Sequence, residues 1–216
     1  MRSGRDTRRR RSIARLISRA LVVALALGVT SGLAARDLID RVLAVVDGAL
    51  ITQSDVNAVV RLGLLPVPAG TDPVAAVLDG LIERRLMLAE VDRYAPPDPA
   101  EADVERGFEA IRARVGDAAF SDVLRQTGSS PEQVHRFVRD DLRIAAYLQQ
   151  RFGTIQPSEV DVAQYYRDHE QRFGGRSLQE AHDAVVAELA DERRAALVAE
   201  WVAGLRRRAN VNILPR

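Results

Sequence analysis

The chain has 216 residues, of which 47% are hydrophobic and 28% are charged, so the composition supports a folded core and excludes a disordered chain. The net charge is +1, but residues 1–35 hold eight of the 31 basic residues and only one of the 30 acidic residues. The rest of the chain, residues 36–216, is therefore acidic, which argues against nucleic-acid binding. All basic residues are Arg and Cys is absent, which excludes P-loop and Schiff-base chemistry, disulfides, thiol catalysis and Cys-ligated metals.

Residues 1–35 have the pattern of a secretory signal peptide. An Arg-rich start is followed by an uncharged run of 16 residues over 20–35, and Gly32-Leu33-Ala34 favours cleavage after Ala34. The run is shorter than the ~20 residues that cross a bilayer, so cleavage is favoured over a retained membrane anchor. We therefore predict a periplasmic or equivalent envelope location for residues 36–216, away from ATP and without a stable membrane span.

A β-hairpin is predicted from Arg41 to Thr52. The sequence has an apolar run rich in β-branched residues, then the type I′ turn sequence Asp47-Gly48, then a short apolar return. Thr52 and Asp55 have the spacing of a capping box, which predicts that the first helix begins there.

Apolar residues at helical spacing, bounded by capping residues, Pro and Gly, predict six helices before residue 176. The helix starts are signalled by Thr52, Asp72-Pro73, Asp98-Pro99, Ser130-Pro131 and Pro157-Ser158, with a short further helix between Gly116 and Gly128.

A longer helix is predicted from Ser177, which forms a capping box with Glu180, to about Gly204. Its apolar stripe consists of Val186, Ala190, Leu197, Trp201 and Leu205. About 31 residues extend ~45 Å, so part of this helix is expected to project or to bridge. Residues 211–214 form a terminal strand, which we expect to pair with the N-terminal hairpin. The predicted fold is therefore mainly α with one small β element.

Four segments of the chain stand in an order and spacing that are typical of one family. They are the V-x-A-x-V-D…I-T-x-S-D-V pattern in 40–56, the apolar helix 81–88, the segment 155–166 and the closing helix and strand in 189–214. Together they resemble the SurA-type periplasmic chaperones over nearly all of residues 36–216. The resemblance implies a single irregular multi-helix chaperone module, in which residues 36–175 pack with the C-terminal helix and strand of 176–216.

One departure from this family decides the prediction of activity. In the family, a parvulin-type prolyl isomerase domain usually lies between the segments that here end at Phe173 and restart at Ser177. Only Gly174-Gly175-Arg176 lies there, which is too short for a domain. We therefore predict that the protein is not an enzyme, and a prolyl isomerase is the least favoured alternative.

The remaining candidate chemical groups have ordinary structural explanations. The three His residues complete no metal-binding motif, consecutive carboxylates diverge on a helix, and the serines at helix starts are explained by capping. The sequence thus predicts no catalytic residue, no metal site and no cofactor.

The predicted functional site is an apolar groove for unfolded polypeptide. The favoured residues are four aromatic residues that flank the position of the missing domain: Tyr165, Tyr166, Phe173 and Trp201. Three aliphatic residues are weaker candidates: Leu64, Leu65 and Met87. Periodicity alone does not separate a groove from a core, because both use the same apolar stripe.

The resemblance to SurA-type chaperones implies an ATP-independent holdase that binds unfolded exported polypeptides, including outer-membrane barrel precursors if the organism makes them. Two or three buried client side chains at ~1.5–3 kcal/mol each, less the cost of ordering, give roughly micromolar affinity or weaker, which suits release without ATP. A scaffold that binds one folded partner is the alternative. A homodimer, with or without exchange of the long helix, is also open.

Overall fold

The computed structural model of the chain describes residues 40–215, so the predicted signal peptide and its cleavage site after Ala34 lie outside the described residues. Within 40–215 the chain forms three β-strands, seven α-helices and one 3₁₀-helix. Their bounds are β1 Val42–Val46, β2 Ala49–Thr52, α1 Gln53–Leu62, α2 Pro73–Tyr94, α3 Glu101–Val115, α4 Asp117–Thr127, α5 Pro131–Phe152, α6 Glu159–His169, the 3₁₀-helix Glu170–Phe173, α7 Leu178–Arg208 and β3 Val211–Ile213. The predicted mainly α fold with a small β element is confirmed.

The sheet is built on the predicted hairpin and is completed by the C-terminal strand. Asp47 and Gly48 both have positive φ, 48° and 86°, as a type I′ turn requires. β1 lies in the centre, antiparallel to β2 on one side and to β3 on the other. Ala44 of β1 stands opposite Ile51 of β2 and Ile213 of β3. The expected pairing of the last strand with the hairpin is therefore confirmed.

Most helices begin where the sequence predicts capping. Four helices begin with a capping box, at Thr52, Ser130, Ser158 and Ser177. In each, the side chain of the cap residue accepts a hydrogen bond from the backbone amide of residue N3, and the side chain of N3 accepts one from the backbone amide of the cap residue. The start of α3 differs from the prediction. It follows Ala100, which provides no side-chain cap, rather than Asp98. Glu101 and Asp103 stand in the first turn of α3, where carboxylates interact favourably with the helix dipole.

The main core lies between the sheet, α1, α2 and the C-terminal end of α7. Its buried residues are Leu43, Ala44, Val46, Ile51, Val56, Val59, Val77, Leu78, Ile82, Leu86 and Leu205. A neighbouring cluster joins the end of α1 to α3, α4 and the start of α5 through Leu62, Phe108, Phe120, Val123, Leu124 and Val134. Because Leu205 comes from the far end of the chain, the main core closes only when α7 is in place.

A second, smaller core is formed by α6, the 3₁₀-helix and the first three turns of α7. Its buried residues are Val162, Tyr165, Phe173, Ala181, Val185 and Leu189, and all of them come from these three elements. We call the segment from Ser158 to Leu189 the satellite lobe. Its core includes residues on both sides of position 175/176.

Helix α7 bridges the two cores. Between Asp191 and Trp201 none of its residues is buried. The predicted stripe is therefore wrong at Leu197, which is 43% exposed, because the helix has left one core there and has not yet reached the other. The expectation that part of this helix bridges is confirmed.

Helices α3 and α5 cross closely at Gly107. A Cβ atom added to Gly107 would lie 2.6 Å from Cγ1 of Val138. Gly107→Ala is therefore expected to lower the free energy of unfolding by about 1–3 kcal/mol, although the same change in an open helix adds about 1 kcal/mol. Urea unfolding followed by circular dichroism measures the effect.

The matched control for this prediction is Gly204→Ala in α7. A Cβ atom there meets only the flexible ends of Arg207 and Arg208, at 3.5 Å or more, so the variant should be at least as stable as the parent chain. Adding Val138→Ala to Gly107→Ala should relieve the overlap. Stabilisation by Gly107→Ala alone would contradict the close crossing.

A groove along the central part of the long helix

Three of the predicted groove residues fill the core of the satellite lobe instead. Tyr165 and Phe173 are only 7% and 4% exposed. Tyr166 packs against the same core, its ring centroid lies 5.8 Å from that of Phe173, and its hydroxyl donates to the carbonyl of Arg176 at 2.6 Å. Because their apolar surfaces are covered by the lobe itself, they do not offer a surface to a client chain.

The hydroxyl of Tyr165 belongs to a polar network at the surface of the lobe. It donates to a carboxylate oxygen of Glu188 at 3.1 Å, and Arg172 forms an ion pair with the same carboxylate. Burial, reinforced by the hydrogen bond to Glu188, raises the pKa of Tyr165 to about 12. Tyr165 therefore stays protonated at neutral pH, and its hydrogen bond to Glu188 links α6 to α7.

Trp201 lies in a separate aromatic cluster. Its ring centroid is 5.7 Å from that of Tyr147 and 5.9 Å from that of Phe152, and Tyr147 in turn lies 5.6 Å from Tyr94. Trp201 is 12 positions beyond Leu189, about 18 Å along the helix. The structure thus does not bring Trp201 and Tyr165 into one groove.

The three aliphatic candidates lie at two places. Leu64 and Leu65 follow α1 and pack, partly buried, against the main core. Met87 of α2 faces α7 and lines an open groove. Of the seven predicted residues, only Met87 therefore stands in the wall of this groove, which we call the α7 groove.

The α7 groove has a volume of about 800 Å³ and follows α7 from Asp191 to Arg206, mostly along the stretch that has no buried residue between the two cores. Met87 of α2 and Leu148 of α5 form one wall. The other wall is a row of small and aliphatic residues of α7: Ala195, Val198, Ala199, Val202 and Ala203. The groove therefore presents mainly apolar side chains along three turns of the helix.

Four charged residues line the groove, and three of them form ion pairs. Arg194 donates to Asp191 at 2.8 Å, and Arg206 donates to Asp79 of α2 at 3.0 Å. Glu83 is the remaining charged residue in the lining. Because Asp191, Arg194 and Arg206 are paired, an apolar chain bound beside them would not desolvate an unpaired ion at those positions.

The spacing of three Ala residues in α7 is a sequence pattern that indicates this groove, although the sequence analysis favoured the aromatic residues. Ala195, Ala199 and Ala203 recur every four residues and therefore stand on one face of α7. A row of Ala on a helix of this length gives a shallow surface rather than a packed one, because Ala fills little volume.

Within residues 40–215 there is no group of three or more His, Asp or Glu side chains placed to hold a metal ion. In the same range no helix has the length and apolar character needed to cross a membrane. Comparison with protein-family models and with curated proteins gives no match.

Proposed function

We propose that this protein is an ATP-independent holdase that binds extended apolar segments of unfolded polypeptides in the α7 groove. The observation that carries the proposal is the open apolar channel of about 800 Å³ between α2, the end of α5 and the uncovered part of α7. Its volume lies in the upper part of the range of ~300–1,000 Å³ that binding sites for small ligands have, so it holds several client side chains.

The lining suits binding without strict sequence preference. Met87 and Leu148 are flexible and adapt to client side chains of different shape, while the Ala row lets a client backbone approach α7 closely. Burying two or three client side chains at ~1.5–3 kcal/mol each gives roughly micromolar or weaker affinity after the cost of ordering. A complex of this strength dissociates without ATP.

The proposed location is the periplasm or an equivalent envelope compartment. It is supported by the signal-peptide pattern of residues 1–35 and by the resemblance to SurA-type chaperones. The proposed clients are unfolded exported polypeptides, including outer-membrane barrel precursors. The proposal includes no catalytic step.

The test compares two Glu substitutions on the same helix. Ala199 lines the α7 groove, whereas Ala196 is exposed and lies outside the lining. Residues 36–216 should suppress light scattering by a denatured barrel-type client at near-stoichiometric ratios without nucleotide. Ala199→Glu should require at least about tenfold more protein, a loss of ~1.4 kcal/mol, because it places a charge against the apolar client.

Ala196→Glu is the matched control, since it adds the same charge to the same helix and should leave suppression unchanged. If the folded parent chain does not suppress aggregation, the holdase proposal fails. If Ala199→Glu suppresses aggregation as well as Ala196→Glu does, clients bind at a site other than the α7 groove.

A scaffold that binds one folded partner is the second candidate, and the Ala row favours it. Helix axes approach to ~8 Å where small residues meet, so Ala195, Ala199 and Ala203 suit a partner's amphipathic helix. Saturable binding of a native protein, abolished by Ala199→Glu and without effect on client aggregation, would distinguish this candidate.

A further inference from the structure

A second cavity, which we call the central pocket, lies between β2, α1, α2 and α5. Its volume is about 250 Å³. Its apolar wall includes Val59, Leu62, Leu64, Leu81, Leu88 and Val134. It shares no lining residue with the α7 groove, although α2 contributes to both.

A buried cation lies in the wall of this pocket. Arg84 is only 6% exposed, and its guanidinium carbon stands 3.8 Å from the ring centroid of Phe137. Its Nη2 donates to the carbonyl of Phe137 at 2.6 Å, and its Nη1 donates to Asp141. No hydrogen bond from its Nε occurs among residues 40–215. These two hydrogen bonds hold the guanidinium in one orientation and leave its Nε–H among the donors that are not used.

Two further arginines in the lining have no ion partner. Arg85 and Arg136 are exposed, and within the described part of the chain no carboxylate oxygen lies within 4.0 Å of either. The carboxylates in the lining are Asp55, which accepts from Thr52, and Asp140, which stands 3.8 Å from Arg84. Arg84 is already engaged by Asp140 and Asp141, so the positive charge that the pocket offers to a ligand is that of Arg85 and Arg136.

We propose that the central pocket binds a carboxylate attached to a compact apolar group, as at the C-terminal residue of a polypeptide or in a short fatty acid. The arginines suit the carboxylate, because a guanidinium group binds it with two parallel hydrogen bonds. The aliphatic wall suits the apolar group. The volume of about 250 Å³ lies just below the ~300 Å³ at which sites for drug-sized ligands begin, so it fits a group of about one residue.

This inference does not depend on the holdase proposal. The α7 groove uses Glu83 and Met87 of α2, whereas the central pocket uses Arg84, Arg85 and Leu88. A failure to suppress aggregation leaves the pocket proposal standing, and an empty pocket leaves the groove proposal standing.

The test uses three small probes with residues 36–216 labelled with ¹⁵N. N-acetyl-phenylalanine has the free carboxylate, N-acetyl-phenylalanine amide lacks it, and hexanoate has the carboxylate on an alkyl chain. The first probe should shift amide resonances of residues in the pocket lining, and the amide should bind at least tenfold more weakly. Tighter binding of hexanoate than of N-acetyl-phenylalanine would identify the fatty acid as the source of the carboxylate, and the reverse order would identify the polypeptide end.

The matched variants remove two charges each. Arg85→Gln with Arg136→Gln should weaken binding of N-acetyl-phenylalanine at least tenfold. Arg207→Gln with Arg208→Gln should leave it unchanged, since these exposed arginines also have no carboxylate within 4.0 Å in residues 40–215 but lie outside the pocket. Circular dichroism checks that both variants fold. Equal binding of acid and amide, retention of affinity in Arg85→Gln with Arg136→Gln, or shifts confined to other regions would each overturn the proposal.

Discussion

Replacing Arg84 with Met is expected to lower the free energy of unfolding by about 3 kcal/mol, because the change leaves two carboxylates of α5 without their buried cation. Arg84 lies 3.8 Å from Asp140, pairs with Asp141 and donates to the carbonyl of Phe137. Met keeps most of the buried volume of the side chain, so the loss reports on charge and hydrogen bonding. Urea unfolding of residues 36–216 measures it.

The ionisation of this group follows from the same geometry. Burial lowers the pKa of Arg84 to about 10, although the attraction of Asp140 opposes the shift. Burial also raises the pKa of Asp140, against the attraction of Arg84 and Arg143. Arg84 therefore remains charged at neutral pH, and the attraction between Arg84 and Asp140 offsets part of the cost of burying each group.

Two further variants make the Arg84 prediction specific. Arg85→Met removes a neighbouring exposed arginine without an ion partner and should change stability by less than about 0.5 kcal/mol. Adding Asp140→Asn and Asp141→Asn to Arg84→Met should recover most of the loss, because the uncompensated charges are then gone. If this triple variant is no more stable than Arg84→Met, the loss arises from packing rather than from charge.

Truncation of Phe173 to Ala is expected to unfold the satellite lobe and to leave the main core folded. Phe173 is one of six buried residues of the lobe, and replacing a buried Phe with Ala costs about 3–5 kcal/mol. So small a core does not absorb that loss. Because the buried residues of the lobe all come from α6, the 3₁₀-helix and α7, its unfolding removes no side chain from the main core.

Hydrogen exchange measures the two regions separately. In the Phe173→Ala variant, amides of α6 and of residues 178–189 should exchange nearly as fast as in an unfolded chain, while amides of β1 and α2 keep their protection. Val160→Ala is the control, since Val160 is also in α6 but 78% exposed. Equal loss of protection in both regions would show that the lobe and the main core unfold as one unit.

The features predicted from the sequence are those fixed by a few neighbouring residues. The type I′ turn at Asp47-Gly48 and the capping box at Ser177 depend on contacts within three or four positions, so their chemistry is visible in the sequence. The start of α3 was predicted wrongly because Asp98-Pro99 has the sequence pattern of a helix start, although the helix begins only after Ala100.

The features that the sequence did not predict depend on distant partners. Trp201 packs on Tyr147, 54 positions earlier, and not on the aromatic residues of the lobe that precede α7. The exposure of Leu197 likewise depends on where two cores end along α7, and an apolar stripe does not encode that position. For the same reason the candidate groove was predicted at the aromatic residues, whereas the open apolar groove of the structure follows the Ala row of α7.

The central position of β1 has a consequence for the newly made chain. Val46 of β1 pairs with Ala49 of β2 and with Val211 of β3, which is 165 positions later. At ~5–20 residues per second, translation takes roughly ten to thirty seconds to cover that distance, and β1 meanwhile has β2 on one edge and no strand on the other. An open strand edge invites pairing with other chains. For that interval the nascent protein is itself the kind of incompletely paired polypeptide that we propose as its client.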